Sequence, residues 1–549
     1  KGALDNVDGT VAIGASALAA LTSGIGNVAI GYETLKSHND SDYSTAVGHQ
    51  ALKTQSGTAG DVGNTAVGYK AGTAITMGRR IVAMGFNALA LEDVGNSTVA
   101  IGDHALYTQN SDSNNEETGN TAVGALTGYY NVTGTNNTYL GYKSGYGATG
   151  NSNSNNTAVG ASALLAVTTG GSNTVMGRAA ADAITSGANN TVVGDSALGT
   201  ATTATLNIVM GGDAMSAVPA GQAVTGVVAI GQNAAKGSAS TTTGIDGTVA
   251  VGYNALTALT TGAGNIGIGF EAGENLTTSA HNLAIGYQAL ENATTAANQN
   301  IAIGNFSMDG AWSTADVDNC VAIGYQAMRG VLTNTASSTV AIGALALNAL
   351  TSGTGNTAIG HQSLDATDDG DRNTAVGSGT LSANCVDDNV AIGYNTLLTC
   401  TGSDNTVVGS LAADALVAGS GNSVMGAYAF TSASAGETSN VVIGEGAMIS
   451  ANEGTGSGNA IDENVVIGAS AVSGGNFGST GSRVLSKNVV IGGSAMQSTG
   501  TNSQTGTIAI GHSALAALTS GAGNTAVGYQ AGLAMTAGGE NTILGYQAF

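Results

Sequence analysis

Charge is the first thing this chain lacks. Of 549 residues only 9% are charged, 13 Lys and Arg against 36 Asp and Glu, for a formal net charge of −23. An ordinary globular domain carries about a quarter of its residues as charges, so the composition argues against a common enzyme fold. So few cations also exclude a nucleic-acid partner, because counterion release needs clustered Lys and Arg. Proline is nearly absent, with Pro219 alone, which argues against a disordered acidic tail of the usual Pro- and Glu-rich kind. Aromatics are 4%. No run of 18 apolar residues exists, so no membrane insertion is expected. The first residues show no secretory leader, and a chain opening on Lys1 reads as a mature product or a segment of something longer. Three cysteines leave the redox compartment undetermined. Cys385 and Cys400 lie 15 apart, so a disulfide between neighbouring repeats is conceivable if the geometry suits, while buried free thiols are the simpler reading.

What is present in excess is glycine, 86 residues, and it is not spaced by three as in collagen. It marks a longer repeat. Asn64-Thr65-Ala66-Val67-Gly68-Tyr69 recurs as Asn27 to Tyr32, Asn282 to Tyr287 and Asn524 to Tyr529. Anchored on the closing glycine, 30 copies run from Gly14 to Gly545, and 15 of the 29 spacings equal 17. The array covers the chain, so residues 1–549 read as one continuous repeat array without a second domain. Four positions before the anchor, 21 copies carry Asn. The next three positions read large, small, large, as a period-two strand does. Three positions after the anchor, every copy has Ala, Ser or Thr.

Seventeen residues cannot bury an apolar face alone, whereas stacked copies can. The expected fold is therefore a β-solenoid, a parallel β-roll or β-helix of about 30 rungs spaced about 4.8 Å apart. Asn27, Asn64, Asn120, Asn173, Asn282, Asn356 and Asn524 should form an amide ladder at a left-handed turn, and Gly31, Gly68, Gly286 and Gly528 the corners where a side chain would clash. The larger strand residues are expected to enter the core. The second half of each unit is open between a short strand and one or two helical turns; Leu256 and Leu259 favour short helical turns in many copies. The small-residue columns suggest close approach of neighbouring chains, hence a homotrimer of parallel solenoids, with filling of a narrow interior as the alternative.

The units resemble the repeats of phage tail fibres. Val11-Ala12-Ile13-Gly14, Val99-Ala100-Ile101-Gly102 and Val249-Ala250-Val251-Gly252 are more distantly similar to the head repeats of trimeric autotransporter adhesins. Either resemblance implies a homotrimeric, elongated, extracellular element on a virion surface or a cell-surface appendage. The anticipated function is thus the structural shaft of a tail fibre that displays or contributes to receptor binding. A bacterial surface adhesin and a self-assembling filament joined end to end are the alternatives. The chain stops within a unit and shows no polar cap, which fits either a longer fibre or open ends that stack.

No catalytic constellation stands out, so no enzyme activity, cofactor or metal is expected. Gly262-Ala263-Gly264-Asn265-Ile266-Gly267 matches a dinucleotide pattern but sits inside the repeat. Asp369, Asp371 and Asn373 have calcium-loop spacing, yet the twelfth position is Thr380. The position after the anchor is often aromatic. Tyr32, Tyr69, Tyr253, Tyr287, Tyr325 and Tyr394 are the candidate ligand-facing rings for a cell-surface glycan or receptor, against the plainer reading that they shield the rung edges. Recognition loops should lie where the period lengthens: Gln109 to Thr118, Ser450 to Glu463 and Ser473 to Lys487.

Overall fold

A computed structural model describes residues 8–57, 60–150, 152–238, 242–293, 297–312, 317–332, 336–433, 436–451, 460–474, 483–500 and 502–549. The chain divides into two compact units, Lys1–Ala280 and His281–Phe549. The fold is a parallel β-solenoid of about 29 turns, with turns about 17 residues apart. In the first unit, three-residue strands from Val11–Ile13 to Ile266–Ile268 stack in parallel; in the second, the same arrangement runs from Leu283–Ile285 to Thr542–Leu544. Register follows the repeat: Val28, Ala29 and Ile30 pair with Thr45, Ala46 and Val47. A single strand of three residues has almost no stability of its own. It persists because both of its edges are hydrogen-bonded to equivalent strands.

The strand residues face opposite to the sequence expectation. Middle residues such as Ala29, Ala46, Ala66 and Ala83 are fully buried, whereas the larger neighbours face outward and lie partly or well exposed. The reason is width. Each turn is so short that its opposite wall lies close to the strand, and the strand centre holds a small residue, mostly Ala, or Val as at Val175, Val192 and Val209. The bulky β-branched residues then occupy the outer face, where their β-propensity still favours the extended backbone. Ala51, Ala71 and Ala88, three positions after the anchor, fill the same interior and are fully buried within a single chain. The small columns are thus accounted for by a narrow interior.

The second half of the turn is not helical; no helix occurs among the described residues. Left-handed residues recur two and four positions after the anchor, as at Glu33 (φ 51°) and Leu35 (φ 47°), or Gln50 (φ 59°) and Leu52 (φ 47°). Its N–H groups bond to neighbouring turns instead of to carbonyls four residues back: Glu33 N donates to Ala15 O at 2.9 Å, Leu35 N to Ala51 O at 3.1 Å, and Ser37 N to Lys53 O at 3.1 Å. Three-to-four spacing of leucines arises because this corner turns Leu18 and Leu21 inward. A left-handed leucine costs about 1–2 kcal/mol, and burying its side chain returns about 1.5–3 kcal/mol.

One rung tests the packing rule within the sequence itself. At the strand centre of Thr138–Leu140 the usual Ala is Tyr139, fully buried. Its room comes from two glycines that replace leucines four positions after the anchor. A side-chain carbon on Gly145 would sit 2.5 Å from the Tyr139 ring, and one on Gly128 would sit 3.1 Å away. The hydroxyl donates to Asn153 Oδ1, and burial raises its pKa. Tyr139→Ala is therefore expected to destabilise the protein by about 3–5 kcal/mol through an unfilled cavity. Leu at positions 128 and 145 in the same chain should recover much of that loss, because both sites already hold the left-handed backbone leucine adopts elsewhere. Urea denaturation of the variants checks both parts.

Candidate functional site

The Asn column lies inside. Asn27, Asn64, Asn120, Asn173, Asn282, Asn356 and Asn524 are all buried. Asn173 shows the pattern: Nδ2 donates to Asn156 Oδ1 at 3.1 Å and to Gly187 O at 3.0 Å, and Oδ1 accepts from the Asn190 backbone N–H at 3.0 Å. Nδ2 of Asn64, Asn120, Asn356 and Asn524 likewise donates to the next turn, at 2.7 to 2.8 Å; Asn27 Nδ2 reaches Ser41 O at 2.9 Å and Asn282 Nδ2 reaches Ala297 O at 2.6 Å. Each amide thus satisfies a backbone carbonyl and a backbone N–H that the corner would otherwise leave buried and unpaired. The left-handed residue is not the Asn, as the sequence suggested, but the one before it, for example Gly63 (φ 63°) or Ser172 (φ 58°). Gly31, Gly68, Gly286 and Gly528 have φ of 137° to 140°, and a side-chain carbon there would strike the anchor glycine of the next turn.

The ring column lies outside, but most of its faces are covered. Tyr32 stacks on His49 at 5.0 Å, His49 on Tyr69 at 5.2 Å, and Tyr69 on Phe86 at 5.0 Å. Tyr69 thus has a neighbour on each face and offers only its edge to solvent. Tyr253 stacks on Phe270 at 5.3 Å, and Phe306 meets Tyr287 and Tyr325 edge-on. Tyr394 differs. It stands between Ser378 and Ser410 in the column, is 56% exposed, and has no ring stacked on it among the described residues. Of the six candidate rings, it is the one with no ring against either face among the described residues.

The remaining candidates resolve into structural roles. Asn373 belongs to the buried amide column, Asp371 Oδ1 accepts from Thr354 N at 2.6 Å, and Thr380 Oγ1 donates to Gly393 O at 2.5 Å, so these residues do not converge on a calcium-like cage. Arg372, between them in sequence, forks onto Asp388 at 2.7 and 2.8 Å and holds that carboxyl below its ordinary pKa. Gly267 is the centre of strand Ile266–Ile268 and belongs to no phosphate loop. The Gln109 to Thr118 insertion is anchored through Glu92, a buried carboxylate missed by sequence reasoning. It accepts from Gly95 N at 2.7 Å, Gln109 Nε2 at 3.0 Å and Ser111 Oγ at 3.1 Å. In the two longest insertions, residues 452–459 and 475–482 lie outside the described residues. Their flanks, Ala460–Asp462 and Val484–Ser486, pair in parallel and join Gln504–Thr505 in a small second sheet.

Cys320, Cys385 and Cys400 are free and buried, so no disulfide links the last two. Burial pushes all three thiols up to about 11. Thiol-reactive dye at pH 8 should therefore leave the native chain unlabelled and label three thiols after denaturation. Rapid native labelling would contradict this burial. No protein-family model matches the chain, and no curated protein matches it significantly.

Proposed function

We propose that the chain is the structural shaft of an elongated extracellular fibre, built as a homotrimer of parallel solenoids, of the kind that carries a phage tail-fibre tip or a cell-surface appendage. The observation that carries this reading is the outer strand face. Turn after turn, it presents an apolar side chain just before the anchor glycine: Ile13 is 58% exposed, Met176 52% and Met425 55%. Apolar surface that is contiguous over many turns exceeds what monomers usually leave to water and marks an interface. Because the face repeats with the turns within each unit, a unit of one copy can cover the matching unit of another. The net charge of −23 then keeps finished shafts apart. The role is mechanical: laddered backbone and interlocked small residues hold a tip at a distance.

A bacterial surface adhesin is the second reading, favoured by the open faces of Tyr394. The end-to-end filament is an outcome of the same test. Light scattering after size exclusion should give three times the chain mass of 53.1 kDa. Charges introduced by Met176→Glu with Met425→Glu should release folded single chains, seen as an unchanged circular dichroism spectrum at one-third the mass. A wild-type mass of one chain at micromolar concentration would refute the assembly. Polymers of unlimited length would replace it with the filament.

A further inference from the structure

We infer that Tyr130 and Tyr146, on neighbouring turns of the first unit, are a site of oxidative cross-linking, joined ring to ring as dityrosine by a peroxidase-type enzyme with hydrogen peroxide. Six of the 16 tyrosines fall between positions 107 and 146. Three of them, Tyr107, Tyr129 and Tyr146, stand five places after the anchors of three consecutive turns, a place that holds no tyrosine in any other turn. Repetition of the unit therefore does not explain them, as it explains the ring column beside the anchor.

The backbone fixes the pair. Tyr130 N–H donates to the Tyr146 carbonyl at 2.9 Å, so the two side chains leave neighbouring turns side by side. Their ring centres are 5.1 Å apart and the ring planes meet at 79°, an edge-on arrangement that aromatic pairs favour. Two rings joined by one carbon–carbon bond are twisted in the same sense and stand somewhat closer, so a small closing movement brings the edges together. Burial, and after it the hydroxyl of Tyr130, hold the Tyr146 phenol above its ordinary pKa. The two hydroxyls are thus neighbours already, as they are in dityrosine, where each sits on the carbon next to the new bond. The remaining pairs fit less well. Tyr107 on Tyr129 and Tyr129 on Tyr146 are stacked, with planes 20° and 30° apart, and turn faces to each other instead of edges. Tyr129 and Tyr130 are successive residues, and a bond between their rings would close a small strained cycle.

Both rings are half-buried, so an oxidant in solution reaches them. A tyrosyl radical formed here also has no easier sink in its own unit. Cys320, Cys385, Cys400 and the single tryptophan, Trp312, all belong to the second unit. In the reaction each phenol gives up one electron and one proton, and one hydrogen peroxide takes both pairs to become two waters. The two phenoxyl radicals, with unpaired density on the carbons beside the C–O carbon, couple through one such carbon on each ring. The hydrogen on each joined carbon then leaves as a proton while each oxygen regains one, which restores two phenols. The product has lost two hydrogen atoms and ties the turn anchored at Gly124 to the turn anchored at Gly141. The link lies within one chain and does not depend on the trimer.

Treatment of the full chain with a peroxidase and limiting hydrogen peroxide, followed by denaturation, trypsin and mass spectrometry, tests it. Cleavage after Arg80, Lys143 and Arg178 puts Tyr130 in peptide 81–143 and Tyr146 in peptide 144–178. The expected product is these two peptides joined, two hydrogen atoms short of their summed mass, from a chain that still runs as a monomer on a denaturing gel. Tyr130→Phe and Tyr146→Phe should each abolish the joined peptide, and Tyr129→Phe should retain it, with circular dichroism unchanged in all three. Absence of the joined peptide from the wild type overturns the proposal. So does its persistence in Tyr130→Phe or Tyr146→Phe, its loss from a folded Tyr129→Phe chain, or an equal yield from chain unfolded in urea.

Discussion

No turn of this chain can satisfy its own backbone. Strand, corner and left-handed segment send most of their N–H groups to the turn before or the turn after, with a minority, such as Leu21 N to Leu18 O, bonded within the turn, and leaving such groups buried and unpaired costs about 1–3 kcal/mol each. Every other feature is a consequence of that dependence. Turns must be in register, so the repeat is regular. They must also lie close, so glycine holds the anchor position at successive corners, where Gly68, for example, faces Gly85. Buried amides must be paired, so Asn stacks on Asn.

The same dependence sets the interior width and so the residue sizes. Alanine or valine lines the strand side and mostly leucine the opposite wall, and a ring on the strand side is matched by lost side chains opposite, as Tyr139 with Gly128 and Gly145 shows. The lengthened turn at Gln109 to Thr118 is tolerated because its extra residues, with Asp112 to Asn115 exposed, leave the stack between fixed points. The Glu92 carboxylate, which gathers N–H groups from its own turn and the next, is such a point.

Much of this was legible in the sequence. The Asn-to-Gly spacing located the strands and the parallel stacking, because a conserved interval between strand triplets is a direct imprint of one turn. Orientation was not legible: bulky Val and Ile beside Ala suggest an apolar core, and only the short circumference reveals that the methyl groups go in. The helical spacing of Leu18 and Leu21 also misled, since a corner of alternating left-handed residues places two leucines inward at the same interval. Of the ring column, sequence gives the positions but not the stacking, which hides the faces of Tyr69 and leaves those of Tyr394 open.

The stacking itself is tested most directly by disulfide trapping. Thr174 and Thr191 are in-register partners on the outer strand face, 17 residues apart, whereas Ile208 lies one turn further on. Cysteines at 174 and 191 should oxidise rapidly in the native chain, since partners on adjacent strands fall within the 4.4–6.8 Å that a disulfide spans. Cysteines at 174 and 208, about two rungs apart at roughly 10 Å, should not. Equal trapping of both pairs, or failure of the first, would contradict a structure of turns laid one upon the next.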